Sequence, residues 1–139
     1  NHSKCKTKNY ILTDKITASL IKYTINSFLA SKVIFFNQLK DLYNSSEASE
    51  DWDVFTNVLA IDKRIGNSHM DVPGHDKRLG FGGACFTKDT AALVKYSQSI
   101  GKEFTILKKA VEINNKIRSQ YDDIDQREKE QNVTYNPDE

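Results

Sequence analysis

The residue of this sequence best suited to chemistry is a cysteine between a glycine-rich segment and a helical pattern. Cys85 follows residues 80–83, three of which are glycine, and helical spacing predicts a helix from about Thr87 to Ile100. A thiolate near a helix start is stabilised by the helix dipole and by a nearby cation, here Lys88, and glycines leave space for a bulky ligand. The segment indicates a nucleophilic site, with a small buried cysteine in a tight turn as the alternative.

Two further pairs of residues are spaced as neighbours on a helix surface. Lys22 and Asn26 are four residues apart within a long helical pattern, and Asp89 follows Cys85 at the same separation. Side chains four residues apart share one face of a helix, so the long helix can present a cation and an amide together. The alternatives are a solvated polar stripe for the first pair and an ordinary acid in a first helical turn for Asp89.

The elements that must position these residues are helices, and the sequence predicts an all-α fold. Residues 14–44 contain no glycine or proline and carry apolar residues at helical spacing, which predicts a spine helix roughly 45 Å long. A second helix is predicted from about residue 51, where acidic residues favour a helix start. A long glycine-rich loop then runs from Arg64 to Phe86, and after the third helix a fourth is predicted from about Thr105 to Tyr121.

These elements make one domain, residues 14–121, between a polar lead-in and a charged tail. The lead-in is residues 1–13, and the tail, residues 122–139, is expected to be solvated and mobile. Residues 33–36 are apolar on all sides of the spine helix, which favours burial against a second subunit. The sequence therefore predicts a homodimer formed through its longest helix.

Composition and charge argue against several classes of partner. The chain has 20 basic and 19 acidic residues, so it offers no basic stripe for nucleic acid, and no apolar run approaches the length of a membrane span. The two cysteines are 80 positions apart and do not form a disulfide framework. The start of the sequence has no apolar signal segment, and the two observations together favour a location in the reducing cytoplasm. His69 and His75, with Asp71 and Asp76, are too weakly patterned to indicate a metal site.

Three segments, in this order, resemble motifs of the UDP-glucose/GDP-mannose dehydrogenase family. They are residues 17–30, which read TASLIKYTINSFLA, residues 62–66, which read DKRIG, and residues 80–90, which read GFGGACFTKDT. The resemblance implies the central helical dimerisation domain of that family. The enzyme it implies is NAD-dependent and oxidises the primary alcohol of a nucleotide sugar to a carboxylate through a cysteine thiohemiacetal and thioester.

The resemblance also implies catalytic roles for individual residues. Cys85 takes the position of the nucleophile. Lys22 and Asn26 match residues that stabilise negative charge on the substrate oxygen. Asp89 matches a carboxylate that activates water and transfers protons.

Substrate contacts are implied in the same way. Arg64 matches an arginine that reaches the substrate of the neighbouring subunit, where its planar guanidinium suits phosphate. The sugar pocket and the remaining contacts are expected to come from Phe81, Gly82, Gly83 and Lys88. One departure from the motif is Thr87, where the family has proline, and a threonine could cap the helix there instead.

A dinucleotide-binding unit is not recognisable in this sequence. No strand followed by Gly-x-Gly-x-x-Gly and a helix occurs, so the resemblance implies that NAD is bound mainly elsewhere. We expect the N-terminal Rossmann and C-terminal nucleotide-binding domains to be absent from the chain, and the chain alone to be inactive. A separate chain with a Rossmann domain is one way in which the enzyme could be completed. The residues do not identify the nucleotide sugar. Two alternatives stay open: the helical domain of a β-hydroxyacid dehydrogenase relative, and a non-catalytic dimerisation module.

Overall fold

The computed structural model describes residues 11–123 and 126–136, and all of them lie in helices, turns or loops. In this part of the chain five helices follow one another: α1 (Lys15–Asn44), α2 (Trp52–Ile61), α3 (Ala84–Ser99), α4 (Thr105–Arg118) and α5 (Gln126–Glu130). The predicted all-α fold with one long helix is confirmed, and residues 62–83 form the long loop between α2 and α3. Expectations for residues 1–10, Cys5 included, lie outside the described residues.

The long helix α1 begins at a side-chain cap. Asp14 Oδ1 accepts hydrogen bonds from the backbone N–H groups of Ile16 and Thr17 at 2.9 and 3.0 Å. Asp14 Oδ2 accepts a further bond from the Thr17 hydroxyl at 2.6 Å. These bonds satisfy amides that the start of a helix leaves without intrahelical partners, so α1 begins and ends where its sequence pattern predicts.

The core lies where α1 packs against α3 and α4, and the long loop takes part in it. Ala30 and Ile34 of α1 are buried in one cluster with Phe81 of the loop. Phe36 of α1 is buried in a second cluster with Met70 of the loop. Apolar side chains of residues 62–83 thus fix the path of the loop across α1, although this segment has no regular secondary structure.

One side of α1 is not covered by the residues that the structure describes. Of residues 33–36, Ile34 and Phe36 are buried within the chain whereas Phe35 is 61% exposed, and burial against a second subunit stays a prediction. A cavity of about 720 Å³, here called the apolar groove, opens on this side and is lined by Phe28, Phe35 and Ile106 among others. None of the described helices combines the length and apolar character that crossing a bilayer requires.

Helix α3 begins earlier than the sequence pattern predicts. It starts at Ala84 rather than near Thr87, directly after Gly83, whose φ of +80° is readily adopted by glycine. Cys85 therefore lies inside the first turn and not in front of it. Thr87 does not cap the helix, because its hydroxyl donates back to the Gly83 carbonyl at 3.0 Å.

The end of the chain also differs from the prediction. Helix α4 ends at Arg118 and not at Tyr121. The segment that was expected to be a solvated tail forms α5, in which Glu128 is only 1% exposed, and Val133 is buried after it. Residues 126–136, here called the C-terminal segment, therefore pack against the domain. The expectation of a solvated segment does not hold for Glu128 and Val133, whereas most other side chains of residues 126–136 are exposed. A strongly charged composition does not reveal a carboxylate that has partners inside the protein.

Candidate active site

Three of the predicted catalytic residues meet between α1 and α3. Asn26 Nδ2 donates a hydrogen bond to Asp89 Oδ2 at 2.6 Å, and Lys22 Nζ lies 3.5 Å from the same oxygen. Lys22 and Asn26 lie on successive turns of α1, as their spacing predicts, and α3 supplies the carboxylate. The result is a cation, an amide and an acid in direct contact.

Asp89 is fully buried and only one of its oxygens is partnered within the described residues. Its exposed fraction is 0%, and Oδ1 has no hydrogen-bond partner there. Burying a carboxylate is costly unless it is paired, and Lys22 and Asn26 compensate Oδ2 alone. Oδ1 keeps its lone pairs available, so it can accept a proton from a molecule that enters between the two helices.

Cys85 lies one helical turn before Asp89 on α3 and is an exposed free thiol. This exposure excludes the alternative of a small buried cysteine. An exposed thiol in the first turn of a helix is open to a molecule from solution, and the thiolate is the nucleophilic form of cysteine. Lys88, the cation that the sequence places nearby, is exposed on the same helix.

Side chains from α1 and α4 hold the backbone of the glycine-rich segment. The Gly80 N–H donates to Asn37 Oδ1 at 2.9 Å, and the Phe81 N–H donates to Asn114 Oδ1 at 2.7 Å. Asn114 is fully buried, and a Cβ atom at Gly80 would lie 2.6 Å from its Oδ1. These amides are used inside the protein, so the segment is held rigidly and these two amides are not left to bind an anion.

Arg118 is a buried cation beneath the same segment. Its Nη2 donates to the Gly80 carbonyl at 2.9 Å, and its Nη1 lies 2.6 Å from Asp76 Oδ2. Partial burial would by itself raise the pKa of Asp76, but the hydrogen bond and charge of Arg118 hold that pKa below its ordinary value. The guanidinium therefore joins the end of α4 to two points of the long loop.

The predicted sugar-binding residues line a cavity of about 540 Å³. Phe81, Gly82 and Gly83 bound it, together with His69 and Arg118. Burial lowers the pKa of His69, which keeps the ring neutral at neutral pH, and its Nδ1 atom is buried with no partner in the described residues. Residues 11–123 and 126–136 contain no group of three His, Cys, Asp or Glu side chains that could hold a metal ion.

Arg64 lies apart from this cavity. It borders the apolar groove, its side chain is 90% exposed, and it forms an ion pair with Asp62 of the same turn at 2.6 Å. The structure of one chain does not bring Arg64 to Cys85. Its contact with the substrate of a second subunit stays a prediction.

Sequence reasoning missed the polar residues that hold the glycine-rich segment. They are Asn37, Asn114, Arg118 and Glu128. Asn114 and Arg118 are four residues apart on α4, and two buried polar residues on an otherwise apolar helix face are a signal that could have identified them. Glu128 offers no such signal, because it stands in a run of charged residues.

Comparison with known proteins identifies the family. Residues 16–116 match the sequence model of the UDP-glucose/GDP-mannose dehydrogenase family, central domain. UDP-glucose 6-dehydrogenase YwqF of Bacillus subtilis (strain 168) is 34% identical over 103 residues, which cover 74% of this chain and 22% of the relative. The UDP-glucose 6-dehydrogenase of Rickettsia typhi (strain ATCC VR-144 / Wilmington) is 36% identical over 110 residues, which cover 78% and 23%.

A further relative has a higher identity over a shorter stretch. The UDP-glucose 6-dehydrogenase of Rickettsia bellii (strain RML369-C) is 41% identical over 83 residues, or 60% of this chain and 18% of the relative. The chain thus spans about a fifth of the length of the curated relatives it matches. The extent of the family match, together with the identity shared with these enzymes, shows that the chain belongs to the UDP-glucose/GDP-mannose dehydrogenase family, of which it represents the central domain.

Proposed function

We propose that this chain is the central domain of an NAD-dependent UDP-glucose 6-dehydrogenase, in which Cys85 holds the sugar carbon during oxidation to a carboxylate. The observation that carries the proposal is the buried Asp89 carboxylate, in contact with Lys22 and Asn26 and one turn beyond an exposed thiol. The names of the matched relatives support the substrate. The proposal places the protein in a reducing cytoplasm, where the thiol stays free.

The first task of the site is to hold the aldehyde that the oxidation of the alcohol produces. The Cys85 thiolate adds through Sγ to the aldehyde carbon, so a C–S bond forms and the carbonyl oxygen takes the negative charge. Lys22 supplies positive charge to that oxygen, and Asn26 can donate to it with the amide hydrogen that Asp89 does not use. Protonation of that oxygen gives a thiohemiacetal, and removal of a hydride from the same carbon to the bound cofactor, together with loss of the hydroxyl proton, would give a thioester.

The second task is to hydrolyse the thioester. Asp89 Oδ1, which has no partner within the described residues, accepts a proton from water while the water oxygen attacks the thioester carbon. The C–S bond then breaks, the electron pair returns to sulfur, and the product leaves as a carboxylate. In this proposal the buried carboxylate one turn from the sulfur serves the hydrolysis.

NAD, when bound, accepts one hydride in each of the two oxidations. The described residues do not fit this cofactor, because none of them forms the strand that a dinucleotide-binding turn requires. We therefore propose that other parts of the whole protein hold NAD, whether in the same chain or in a separate one.

A second copy of this chain is the partner that we propose for the apolar groove. Phe28, Phe35 and Ile106 border the groove with 67%, 61% and 76% of their surface exposed, which is large for apolar side chains. Arg64 stands at the edge of the same groove. In a dimer it could reach the nucleotide sugar of the other copy, where its guanidinium would pair with phosphate oxygens.

The proposal is tested in the complete protein that carries this chain, by measuring NADH formed for each UDP-glucose consumed. Oxidation of an alcohol to an acid removes two hydrides, so the unsubstituted protein should form two NADH. Cys85→Ser should abolish formation of the acid, whereas Ala91→Ser, an exposed position on the same helix, should not. Full oxidation by Cys85→Ser would support a β-hydroxyacid dehydrogenase, and an inactive, unreactive unsubstituted protein would support a dimerisation module.

Asp89 is tested with a matched acidic control. Asp89→Asn keeps the shape of the side chain but removes the proton acceptor, so acid formation should fall by roughly 10²–10⁴-fold. Asp53→Asn removes an exposed carboxylate from the first turn of α2 and should leave the rate unchanged. An Asp89→Asn enzyme that forms the acid at the unsubstituted rate would contradict the proposed water activation.

A further inference from the structure

The C-terminal segment reaches back to the turn that carries Cys85. Glu128 Oε1 accepts hydrogen bonds from the Gly83 N–H at 2.7 Å and from the Tyr135 hydroxyl at 2.6 Å. Gly83 is the residue directly before α3, and Cys85 is the second residue of that helix. Both Glu128 and Tyr135 lie beyond residues 16–116, the part of the chain that matches the family. The family resemblance therefore assigns them no role.

Thr87 completes the same network from within α3. Its hydroxyl donates to the Gly83 carbonyl at 3.0 Å, so the residue that Glu128 holds by its N–H is also bound at its carbonyl. Burial and the bond to Glu128 raise the pKa of Tyr135, so its hydroxyl stays protonated and able to donate. These hydrogen bonds hold both the N–H and the C=O of Gly83. A proline at position 87 could not form the bond to the carbonyl, because it has no hydroxyl.

The buried side chains of Arg118 and Glu128 approach the same glycine. A Cβ atom at Gly82 would lie 2.7 Å from Arg118 Nη1 and 2.8 Å from Glu128 Oε1, so both charged ends press against the same glycine. Opposite charges that approach in this way reduce the penalty of removing a carboxylate from water. The segment is thus tied to the glycine-rich loop by the hydrogen bond from the Gly83 N–H to Glu128.

We propose that the C-terminal segment is an intramolecular clamp on the active-site turn, and that Glu128 is a positioning residue for Cys85. This inference rests on the proposed function. The sulfur is attached to the first turn of α3, so its place follows the backbone that Glu128 holds at Gly83. A misplacement of about 1 Å can lower a catalytic rate by about 10²-fold. The clamp should therefore affect the oxidation of the aldehyde, which needs the sulfur, more than the oxidation of the alcohol, which does not.

The inference is tested with two variants of Glu128 in the complete protein. Glu128→Ala removes the acceptor, whereas Glu128→Gln keeps an oxygen that can accept from the Gly83 N–H and from Tyr135. We expect Glu128→Ala to slow aldehyde oxidation by about tenfold or more and alcohol oxidation by less than about twofold. Glu128→Gln should restore aldehyde oxidation to within about threefold of the unsubstituted rate. Glu130→Ala, at an exposed position of α5, is the control.

Two further measurements separate positioning from general destabilisation. Hydrogen exchange of residues 80–88 should be faster in Glu128→Ala and unchanged in Glu128→Gln and Glu130→Ala. Tyr135→Phe keeps the packed ring and removes one bond to Glu128, so it should slow aldehyde oxidation in the same direction but less. This variant keeps the test valid if Glu128→Ala fails to fold.

The possible outcomes distinguish the two proposals. Unchanged aldehyde oxidation in Glu128→Ala and Tyr135→Phe, or equal slowing of both oxidations without rescue by Glu128→Gln, would overturn the clamp alone. An unsubstituted protein that shows no Cys85-dependent oxidation would overturn the proposed function and the positioning role together.

Discussion

Replacing Gly82 with alanine tests whether close approach, rather than backbone conformation, requires glycine in the active-site loop. Gly80 and Gly83 have φ values of +74° and +80°, but Gly82 is not in the left-handed region. A Cβ atom at Gly82 would lie 2.7 Å from Arg118 Nη1, 2.8 Å from Glu128 Oε1 and 2.9 Å from Arg118 Cζ. Contacts this short cannot be kept, so both side chains, or the backbone at Gly82, must shift.

The magnitude follows from what holds those side chains. Both are ends of flexible groups, but Arg118 is 3% and Glu128 1% exposed, and each is hydrogen-bonded. Displacing either breaks a hydrogen bond to a charged group, which contributes about 1.5–3 kcal/mol, and overpacking a well-filled site costs about 1–3 kcal/mol. We expect Gly82→Ala to lower the free energy of unfolding by about 2 kcal/mol.

Urea denaturation followed by circular dichroism measures this difference. Gly66→Ala is the matched control, because a Cβ there meets nothing within 4 Å and its φ of +68° leaves backbone strain of about 1 kcal/mol as the cost. The double variant Gly82→Ala, Glu128→Ala should lose less unfolding free energy than the sum of the losses of the two single variants, because the shorter side chain at position 128 leaves space for the new methyl group. A loss for Gly82→Ala below about 0.5 kcal/mol, or strict additivity, would refute the close-approach argument.

Three other substitutions test separate contacts. Asp76→Asn should lower the free energy of unfolding by about 1 kcal/mol or less, because solvent screens the ion pair with Arg118. Since the pKa of Asp76 is lowered in the folded state, this difference should be present above pH 3.8 and should vanish in urea titrations as the pH falls through the lower folded value. Asn114→Leu should leave the Phe81 N–H without an acceptor and lower the free energy of unfolding by about 2 kcal/mol in the same assay. An unchanged midpoint of urea denaturation would contradict this. Phe35→Glu should convert the proposed dimer to monomers in sedimentation, and a persistent dimer would argue against the apolar groove as its interface.

The long helix and its polar face could be predicted because their causes are local. Asp14 caps the start, no glycine or proline interrupts the helix, and the four-residue spacing of Lys22 and Asn26 is enough to place them on one face. The family motifs group both residues with Asp89 in one site, but neither the motifs nor the spacing predicts their direct contact. It depends on the packing of α3 against α1, and that packing is not visible in the periodicity of either helix.

The start of α3 could not be predicted for a related reason. Three glycines in residues 80–83 are typical of a loop, and the apolar pattern that signals a helix appears only further on. The helix begins at Ala84 because Gly83 adopts a left-handed φ and its N–H is bound by Glu128, which is 45 residues away in the sequence. A helix boundary that depends on a distant side chain cannot be predicted from the residues next to it in the sequence.

The buried charges are the least expected feature of this chain, and each lies on α3 or contacts the loop directly before it. Asp89, Arg118 and Glu128 are each no more than 3% exposed, although charged residues in a polar sequence are expected to face solvent. Such groups add little net stability even when paired, and apolar residues in their place are often as stable. Two of them fix the glycine-rich loop before Cys85 and the third lies one turn after it. Their concentration around an exposed thiol is therefore better explained by the chemistry proposed for Cys85 than by the stability of the fold.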